Sequence, residues 1–335
     1  MDLSNIQKPF LKWVGGKTQI LDKILGHFPS KINNYHEIFL GGGSVLLAVL
    51  SLQKQGRLKI QGNIYAYDLN PVLINVYQQI QSQPQQFYNF LSEYWDTYDN
   101  CKMSHRHGVP NRKPKSLQEA KNSKESYYYW VRSHFNQMDT LTPERAAIFV
   151  FLNKTGFRGL YREGPNGYNV PYGHYKKTPV MTSYSELEHI HQLIQGVKFV
   201  CSSFQESLSG VSSGTIANEG IGELSRSIST WSGPSKIVNA SHKDDFIYLD
   251  PPYVPENPRS FVKYTHHGFS LETHKELFQI VKELHKKENK LILSNSNVQL
   301  VLDTFKEFSK EHLQVRRTIN AKKPGSTTTE VIIYN

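Results

Sequence analysis

The chain is poor in cysteine, with Cys101 and Cys201 the only two among 335 residues. Two isolated thiols give neither a disulfide framework nor a paired metal motif, so no metal is expected and a cytoplasmic location is. Long hydrophobic runs are missing as well. The longest apolar stretch, Val45 to Leu50, falls far short of the roughly 20 residues that span a bilayer. The opening MDLSNIQKPFLKWVGGK has no apolar segment of the secretory kind, and no membrane association is expected. Acidic residues are in deficit, at 29 Asp and Glu against 39 Lys and Arg, a net charge of +10. The hydrophobic fraction of 38% is ordinary for a globular protein and excludes global disorder. The length predicts two domains, or one α/β domain with a large insertion.

The positive charge is unevenly placed. Residues 101–132 carry eight basic and two acidic side chains, residues 151–180 carry five and one, and the rest of the chain sums to zero. A single-sign field concentrated in this way attracts a polyanion, of which nucleic acid is the common one. A solvated lysine-rich surface is the plainer alternative.

Along the chain, YHEIF from Tyr35 reads as a strand, LGGGS as a glycine turn, VLLAVLSL as an apolar helix and IYAYDLN (64–70) as a second strand. That order is the first half of a dinucleotide-type α/β fold. The middle third reads as helices with a hairpin attached. Tyr127, Trp130, Val131, Phe135 and Met138 recur at helical spacing, and Thr142-Pro143-Glu144 fits the N-cap, N1 and N2 positions of a further helix. Pro165-Asn166-Gly167 marks a tight turn. Residues 202–241 hold twelve Ser and five Gly and predict a flexible surface excursion, an insertion at about 205–241. Regular α/β text resumes with strand FIYLD (246–250), a helix over 271–288 capped by Ser270, strand KLILSN, and a terminal strand pair, VRRTI and EVIIYN.

Asp250-Pro251-Pro252-Tyr253 directly follows an apolar strand, the place where α/β sheets bind ligands. Two prolines stiffen the turn and remove two N–H donors while their carbonyls stay free to accept. A carboxylate beside a fixed prolyl carbonyl suits an exocyclic amino group, whose two N–H bonds the pair can hold. Held so, the nitrogen keeps its lone pair out of the ring and becomes a nucleophile. Tyr253 offers a face for a base to stack on, worth about 1–3 kcal/mol. In Phe39-Leu40-Gly41-Gly42-Gly43 the glycines permit close backbone approach, and Asp68, 25 residues beyond Gly43, can bind a ribose hydroxyl pair. Trp13-Val14-Gly15-Gly16-Lys17-Thr18 ends like a phosphate-binding loop, but Leu11 stands where that loop requires glycine and no apolar strand precedes it. Lys17 remains free to meet the carboxylate of an anionic ligand, with Trp13 shielding it.

Taken together and in this order, FLKWVGGK, FLGGGS, YDLN, NKTGFRGLYR with NVPYG, and DPPY resemble the Dam-type DNA adenine-N6 methyltransferases, in the α arrangement of amino methyltransferases, from Lys8 almost to Asn335. The resemblance implies a Rossmann-like methyltransferase fold, α/β with a mixed, mostly parallel sheet. Residues 1–75 and 181–335 would form the catalytic domain and 76–180 an inserted helical and hairpin target-recognition domain. S-adenosylmethionine would be the methyl donor, bound by Trp13, Lys17, Phe39, Gly41, Gly43, Asp68, Phe204 and Asp250. Asp250, Pro251, Pro252 and Tyr253 would hold the flipped adenine. Lys12, Phe157, Arg158, Arg162 and Pro171 would meet double-stranded DNA, Arg162 on a base edge and Phe157 as a wedge. A base inside a duplex must be flipped out to present its N6, and arginine on guanine O6 and N7 is the commonest specific contact. A monomer or weak dimer is implied, and a restriction endonuclease acting on the same site without stable binding fits the family.

The sequence also departs from its relatives. Arg158 stands where many GATC-specific members carry Asn, and Glu163-Gly164 where they carry Val-Asn. FRGLYREGPNGYNVPYGHY resembles members that methylate CATG at least as well, so CATG and GATC both remain open. Ser203 replaces an acidic residue near the cofactor's adenine. RNA adenine methylation, cytosine-N4 methylation and a non-catalytic DNA-binding module are the rival readings. The first two classes more often begin the catalytic motif with Asn or Ser, and a mere binder would need neither DPPY nor the glycine motif.

Overall fold

The computed structural model describes residues 3–102, 110–209, 245–256, 269–316 and 326–335. Its centre is a seven-stranded sheet. In chain order the strands are β2 (Tyr35–Glu37), β4 (Ile64–Asp68), β7 (Val197–Cys201), β8 (Phe246–Leu249), β9 (Lys290–Ser296), β10 (Ser309–Arg316) and β11 (Thr327–Tyr334). They are arranged in the order β10-β11-β9-β8-β2-β4-β7. The five strands from β9 to β7 run parallel, and β11 is antiparallel to both of its neighbours. The short strands β1 (Lys31–Ile32) and β3 (Lys59–Ile60) pair with each other outside this sheet. Chain order reverses between β2 and β8, so the carboxyl ends of those two strands flank the crevice where an open α/β sheet binds its ligands.

The fold is the α/β, mostly parallel mixed sheet expected from the sequence. The central strands read as nearly continuous apolar text because both faces are covered, and alternate side chains go to opposite faces. Tyr35, Ala66, Phe246, Tyr248, Ile292 and Ile332 join one hydrophobic cluster, while Tyr65, Tyr67, Ile247, Leu249, Leu293 and Ile333 join the other. The first face is covered by α2 (Ser44–Lys54) and α3 (Pro71–Ser82), with α1 (Leu21–Gly26) packed on α2. The second is covered by α10 (Leu271–Lys286), α11 (Gln299–Thr304) and the short α9 (Phe204–Ser209). Period two therefore turns Glu37, Asp68 and Asp250 toward the first face.

Between α3 and β7 the chain builds a helical section: α4 (Pro84–Asn100), α5 (Leu117–Ala120), α6 (Lys124–Gln137), α7 (Pro143–Thr155) and α8 (Tyr184–Leu193). A small hairpin, β5 (Glu163–Gly164) with β6 (Gly167–Tyr168), completes it. Helix α7 is buried almost all round and packs on α3, α4 and α6, as an apolar helix without a polar face must. Its N-terminus is as expected: Pro143 opens the helix and Thr142 Oγ1 accepts from the Arg145 amide at 3.1 Å. Ser270 likewise caps α10. No helix among the described residues is long and apolar enough to cross a membrane.

Several element ends fall one or two residues short of the sequence reading, and two boundaries differ by more. The insertion read at about 205–241 begins inside a helix: α9 spans Phe204–Ser209, and Phe204 and Leu208 are buried in the second cluster. Ser203 and Glu206 form a reciprocal cap, the Glu206 amide donating to Ser203 Oγ at 3.2 Å and the Ser203 amide to Glu206 Oε2 at 2.9 Å. Serine abundance hid this start signal. The rest of that stretch, 210–241, lies outside the described residues. The strand read as VRRTI occupies Ser309–Arg316 instead, because pairing with β11 rather than apolar content sets its extent; residues 317–319 lie outside the described residues.

Replacing Thr142 by Ala is expected to lower unfolding free energy by about 1 kcal/mol, visible as a lower urea midpoint at unchanged slope. An unchanged midpoint would show that packing alone sets the start of α7.

Candidate active site

The strand ends place three carboxylates side by side. Glu37 closes β2 and is 1% exposed. The Tyr35 hydroxyl donates to its Oε2 at 2.8 Å. Burial, with the nearby Asp250 charge adding to it, holds this carboxyl well above the usual carboxylate range. Asp68 closes β4, where its Oδ2 accepts from the Gly41 amide at 2.9 Å and its Oδ1 from the Asn70 amide at 2.9 Å. Burial raises its pKa and those amides oppose the rise. Each of its oxygens keeps further acceptor capacity.

Asp250 follows β8. Its Oδ2 pairs with Lys17 Nζ at 2.8 Å, with the lysine side chain 4% and the aspartate 17% exposed. Its Oδ1 is buried and has no hydrogen-bond partner among the described residues. Burial pushes this carboxyl up to about 6, against the pull of the Lys17 ammonium and its hydrogen bond, while Glu330 pushes it up further. The Lys17 ammonium also lies 4.9 Å from the centre of the Tyr253 ring, and the Tyr253 hydroxyl donates to Glu330 Oε2 at 2.8 Å. Beyond Tyr253 the backbone is held by β9: the Val254 amide donates to Asn295 Oδ1 at 3.1 Å and Ser296 Oγ to the Val254 carbonyl at 2.6 Å. These bonds anchor the chain at Val254, directly after Asp250-Pro251-Pro252-Tyr253.

Lys17 reaches Asp250 because the N-terminal segment is strapped across the glycine loop. Its amide donates to Ser44 Oγ at 3.1 Å. Gly41 has a φ of 50°, and a Cβ there would lie 2.9 Å from Trp13 Cδ1; one on Gly42 would lie 2.8 Å from Trp13 Cβ. The close approach that these two glycines allow is thus to the Trp13 indole. Gly43, at φ 66°, is the N-cap of α2, and a Cβ there would fall on the Tyr77 hydroxyl. Phe39 meets Phe204 at 6.0 Å and Phe269 at 6.3 Å between ring centres, an aromatic wall beside Asp68's neighbour strand β2.

The residues expected to meet DNA also come together. Phe157 and Arg158 form a 3₁₀ turn directly after α7, with Phe157 41% exposed and Arg158 in the left-handed region at φ 56°. The Arg158 guanidinium lies 5.1 Å from the Phe157 ring. Phe157 donates its amide to the Pro171 carbonyl at 2.8 Å. Arg162, exposed on the hairpin, is aimed by Asn169, whose Oδ1 accepts from its Nε at 2.6 Å. Lys12 is half-buried: its Nζ donates to the Lys154 carbonyl at 3.0 Å and sits 4.1 Å from the Tyr175 ring centre. Burial and Lys154 lower its pKa. Asn153 stitches this region to the N-terminal strap, accepting from the Lys12 amide at 2.9 Å and donating to the Lys12 carbonyl at 2.7 Å and to the Gly159 carbonyl at 3.2 Å.

The sequence matches the family of D12 class N6 adenine-specific DNA methyltransferases over residues 13–216 and 225–319, which include the strap, the glycine loop, the helical section and Asp250–Tyr253. The chain belongs to that family. It is 32% identical over 340 residues to the type II methyltransferase M.MjaIII of Methanocaldococcus jannaschii, covering 98% of this chain and 99% of that protein. It is 31% identical over 336 residues to the type II methyltransferase M1.LlaDCHI of Lactococcus lactis subsp. cremoris, at 98% and 95% coverage. With the DNA adenine methylase of Haemophilus influenzae it shares 28% over 322 residues, at 93% and 88% coverage. This D12-class enzyme is accordingly an adenine-specific DNA methyltransferase, and its substrate is DNA.

Several residues of this site received no role from the sequence, although Asn153 and Tyr161 lie within NKTGFRGLYR. Asn153 and Tyr161 tie the helical section to the strap, Tyr161 stacking on Trp13 with ring centres 6.0 Å apart. Glu37 and Glu330 are acidic positions inside apolar strand text, and that interruption was the available signal.

Gly43→Ala is expected to destabilise the methyltransferase by about 1–3 kcal/mol through its backbone strain, with a further loss from the clash with Tyr77. Adding Tyr77→Phe should restore only the clash component in urea unfolding. A neutral Gly43→Ala would show that the left-handed cap is dispensable.

Proposed function

We propose that the enzyme transfers a methyl group from S-adenosylmethionine to N6 of an adenine flipped out of a short palindromic duplex site, and that it serves a restriction–modification pair with a nuclease reading the same site. The observation that carries this reading is the state of Asp250: one oxygen is ion-paired to Lys17, the other is buried and unpartnered, and the Pro251 carbonyl stands one residue on.

The donor site is assigned to Trp13, Lys17, Phe39, Gly41, Gly43, Asp68, Phe204 and Asp250. The residues fit such a group. Asp68 retains acceptor capacity suited to a ribose diol, the three phenylalanine rings offer a flat apolar wall, and the Lys17 ammonium balances a carboxylate. S-adenosylmethionine supplies an electrophilic methyl group when bound. Asp250 Oδ1 accepts one N6–H bond of the adenine and the Pro251 carbonyl the other, which localises the nitrogen lone pair for attack. Pro252 stiffens the turn. After transfer N6 carries the positive charge, and its proton leaves toward the Asp250 carboxylate, the adjacent base. Tyr253 gives the flipped ring a stacking surface.

Residues 76–180 are assigned to target recognition, with the catalytic domain on either side of them. Phe157, Arg158, Arg162 and Pro171 lie within this section and Lys12 beside it, and residues 76–180 carry a net +6 of the chain's +10. Phosphate contacts from such a surface position the duplex, whereas Arg162, exposed and aimed by Asn169, suits a base edge. Digestion of enzyme-modified plasmid with nucleases blocked by CATG or by GATC methylation identifies the site; protection from neither would remove both targets.

Asp250→Ala is expected to abolish methyl transfer while leaving DNA affinity within about twofold, since it lies apart from the phosphate-binding surface. Retained turnover would overturn the mechanism. In the wild type, Asp250 must be a carboxylate to accept N6–H, and its pKa is pushed up to about 6. The active form is therefore present above that value, and kcat/KM should fall about tenfold per pH unit below it. A profile flat to pH 5 would remove Asp250 from the acceptor role.

A further inference from the structure

We propose that Glu330 is a positioning residue for the reaction, acting through the Tyr253 hydroxyl to fix the ring on which the target adenine stacks. The inference rests on the base-binding reading of Asp250 to Tyr253 and adds to it β11, two strands along the sheet from β8.

Three observations converge. Alternation along β11 sends Val331 and Ile333 to the second cluster and Ile332 to the first, so Glu330 faces the same side of the sheet as Asp250. Its carboxylate accepts from Tyr253 Oη at 2.8 Å, and a hydrogen bond to a charged acceptor is both shorter and stronger than a neutral one. Burial, together with the Asp250 and Glu330 charges, holds the Tyr253 hydroxyl well above its ordinary pKa, so it stays protonated and remains a donor.

The backbone on the far side of the ring is held independently. Glu330 lies opposite Ser296 in the β11–β9 ladder. Ser296 Oγ donates to the Val254 carbonyl at 2.6 Å. One residue earlier on β9, Asn295 accepts from the Val254 amide at 3.1 Å. Further along the same segment, the Thr328 hydroxyl donates to Glu256. The ring of Tyr253 is thus pinned at both ends, its backbone by β9 and its hydroxyl by β11, with the Lys17 ammonium 4.9 Å from its centre. Without Glu330 the backbone would stay in place, but the ring would be free to rotate about its side-chain torsions. That is the motion a stacking platform must not make.

The test is a double-mutant cycle on the full chain, reading kcat on duplex DNA at saturating S-adenosylmethionine. Glu330→Ala and Tyr253→Phe break the same bond, so each should lower kcat about fivefold, and the double variant should be no slower than either single one. Glu330→Gln, which keeps an acceptor, should recover most of the loss, and calorimetric affinity for S-adenosylmethionine should not follow these changes. Losses that multiply in the double variant would overturn the proposal. So would a Glu330→Gln as slow as Glu330→Ala, or a Tyr253→Phe as inactive as Asp250→Ala. Asp250→Ala run alongside separates the two levels: turnover in that variant would remove the site reading itself, whereas an inactive Asp250→Ala with an additive cycle removes only the role of Glu330.

Discussion

A lysine that is 4% exposed and an aspartate 2.8 Å away set the terms for everything around them. A carboxylate taken out of water protonates unless something stabilises its charge, and a lone buried ammonium faces the same penalty with the opposite sign. Lys17 and Asp250 each supply what the other lacks. Their elements are far apart in sequence, one in an N-terminal segment and the other after β8, so the fold must carry them to one place. The strap that does so is held at several points along its length: Lys12 by Asn153, Trp13 by the glycine loop, and the Lys17 backbone by Ser44. The ion pair still leaves one aspartate oxygen without a partner among the described residues. A buried acceptor of that kind costs stability unless a ligand meets it, and sites of chemistry are where proteins tolerate that cost.

Most of the frame was legible because it depends on local rules. Apolar text in β4, β8 and β9 announced strands covered on both faces, and Thr142-Pro143 and Ser270 announced helix starts that their side chains do cap. The glycine loop was legible as a place of close approach, but its neighbour was not: Gly41 and Gly42 make room for Trp13, a residue far away in sequence. The Asp250-Pro251-Pro252-Tyr253 edge was visible as chemistry, and its ion pair with Lys17 was not, since no spacing rule connects positions 17 and 250.

The less legible parts are those where a long-range contact overrides composition. Serine abundance suggested flexibility from about residue 205, yet a reciprocal Ser203–Glu206 cap and the burial of Phe204 and Leu208 make a helix there. The extent of β10 follows from its ladder with β11 rather than from its own apolar residues. Arg158 adopts a left-handed backbone that non-glycine residues seldom take, which the surrounding turn imposes. Glu330 interrupts an apolar strand with a charge. Read alone such an interruption says only that the strand end nears solvent; its partner, Tyr253, appears only once the sheet is assembled.

Trp13 stands between two parts of the molecule and touches both. On one side its indole packs on Gly41 and Gly42, and on the other it stacks on Tyr161, the residue preceding Arg162 on the hairpin. Packed aromatic contacts of this kind do not deform continuously; displacing one ring requires the others to move. A shift of the hairpin at Tyr161 must therefore disturb the packing of the indole on Gly41 and Gly42, and a shift of the glycine turn must disturb Tyr161 in the same way.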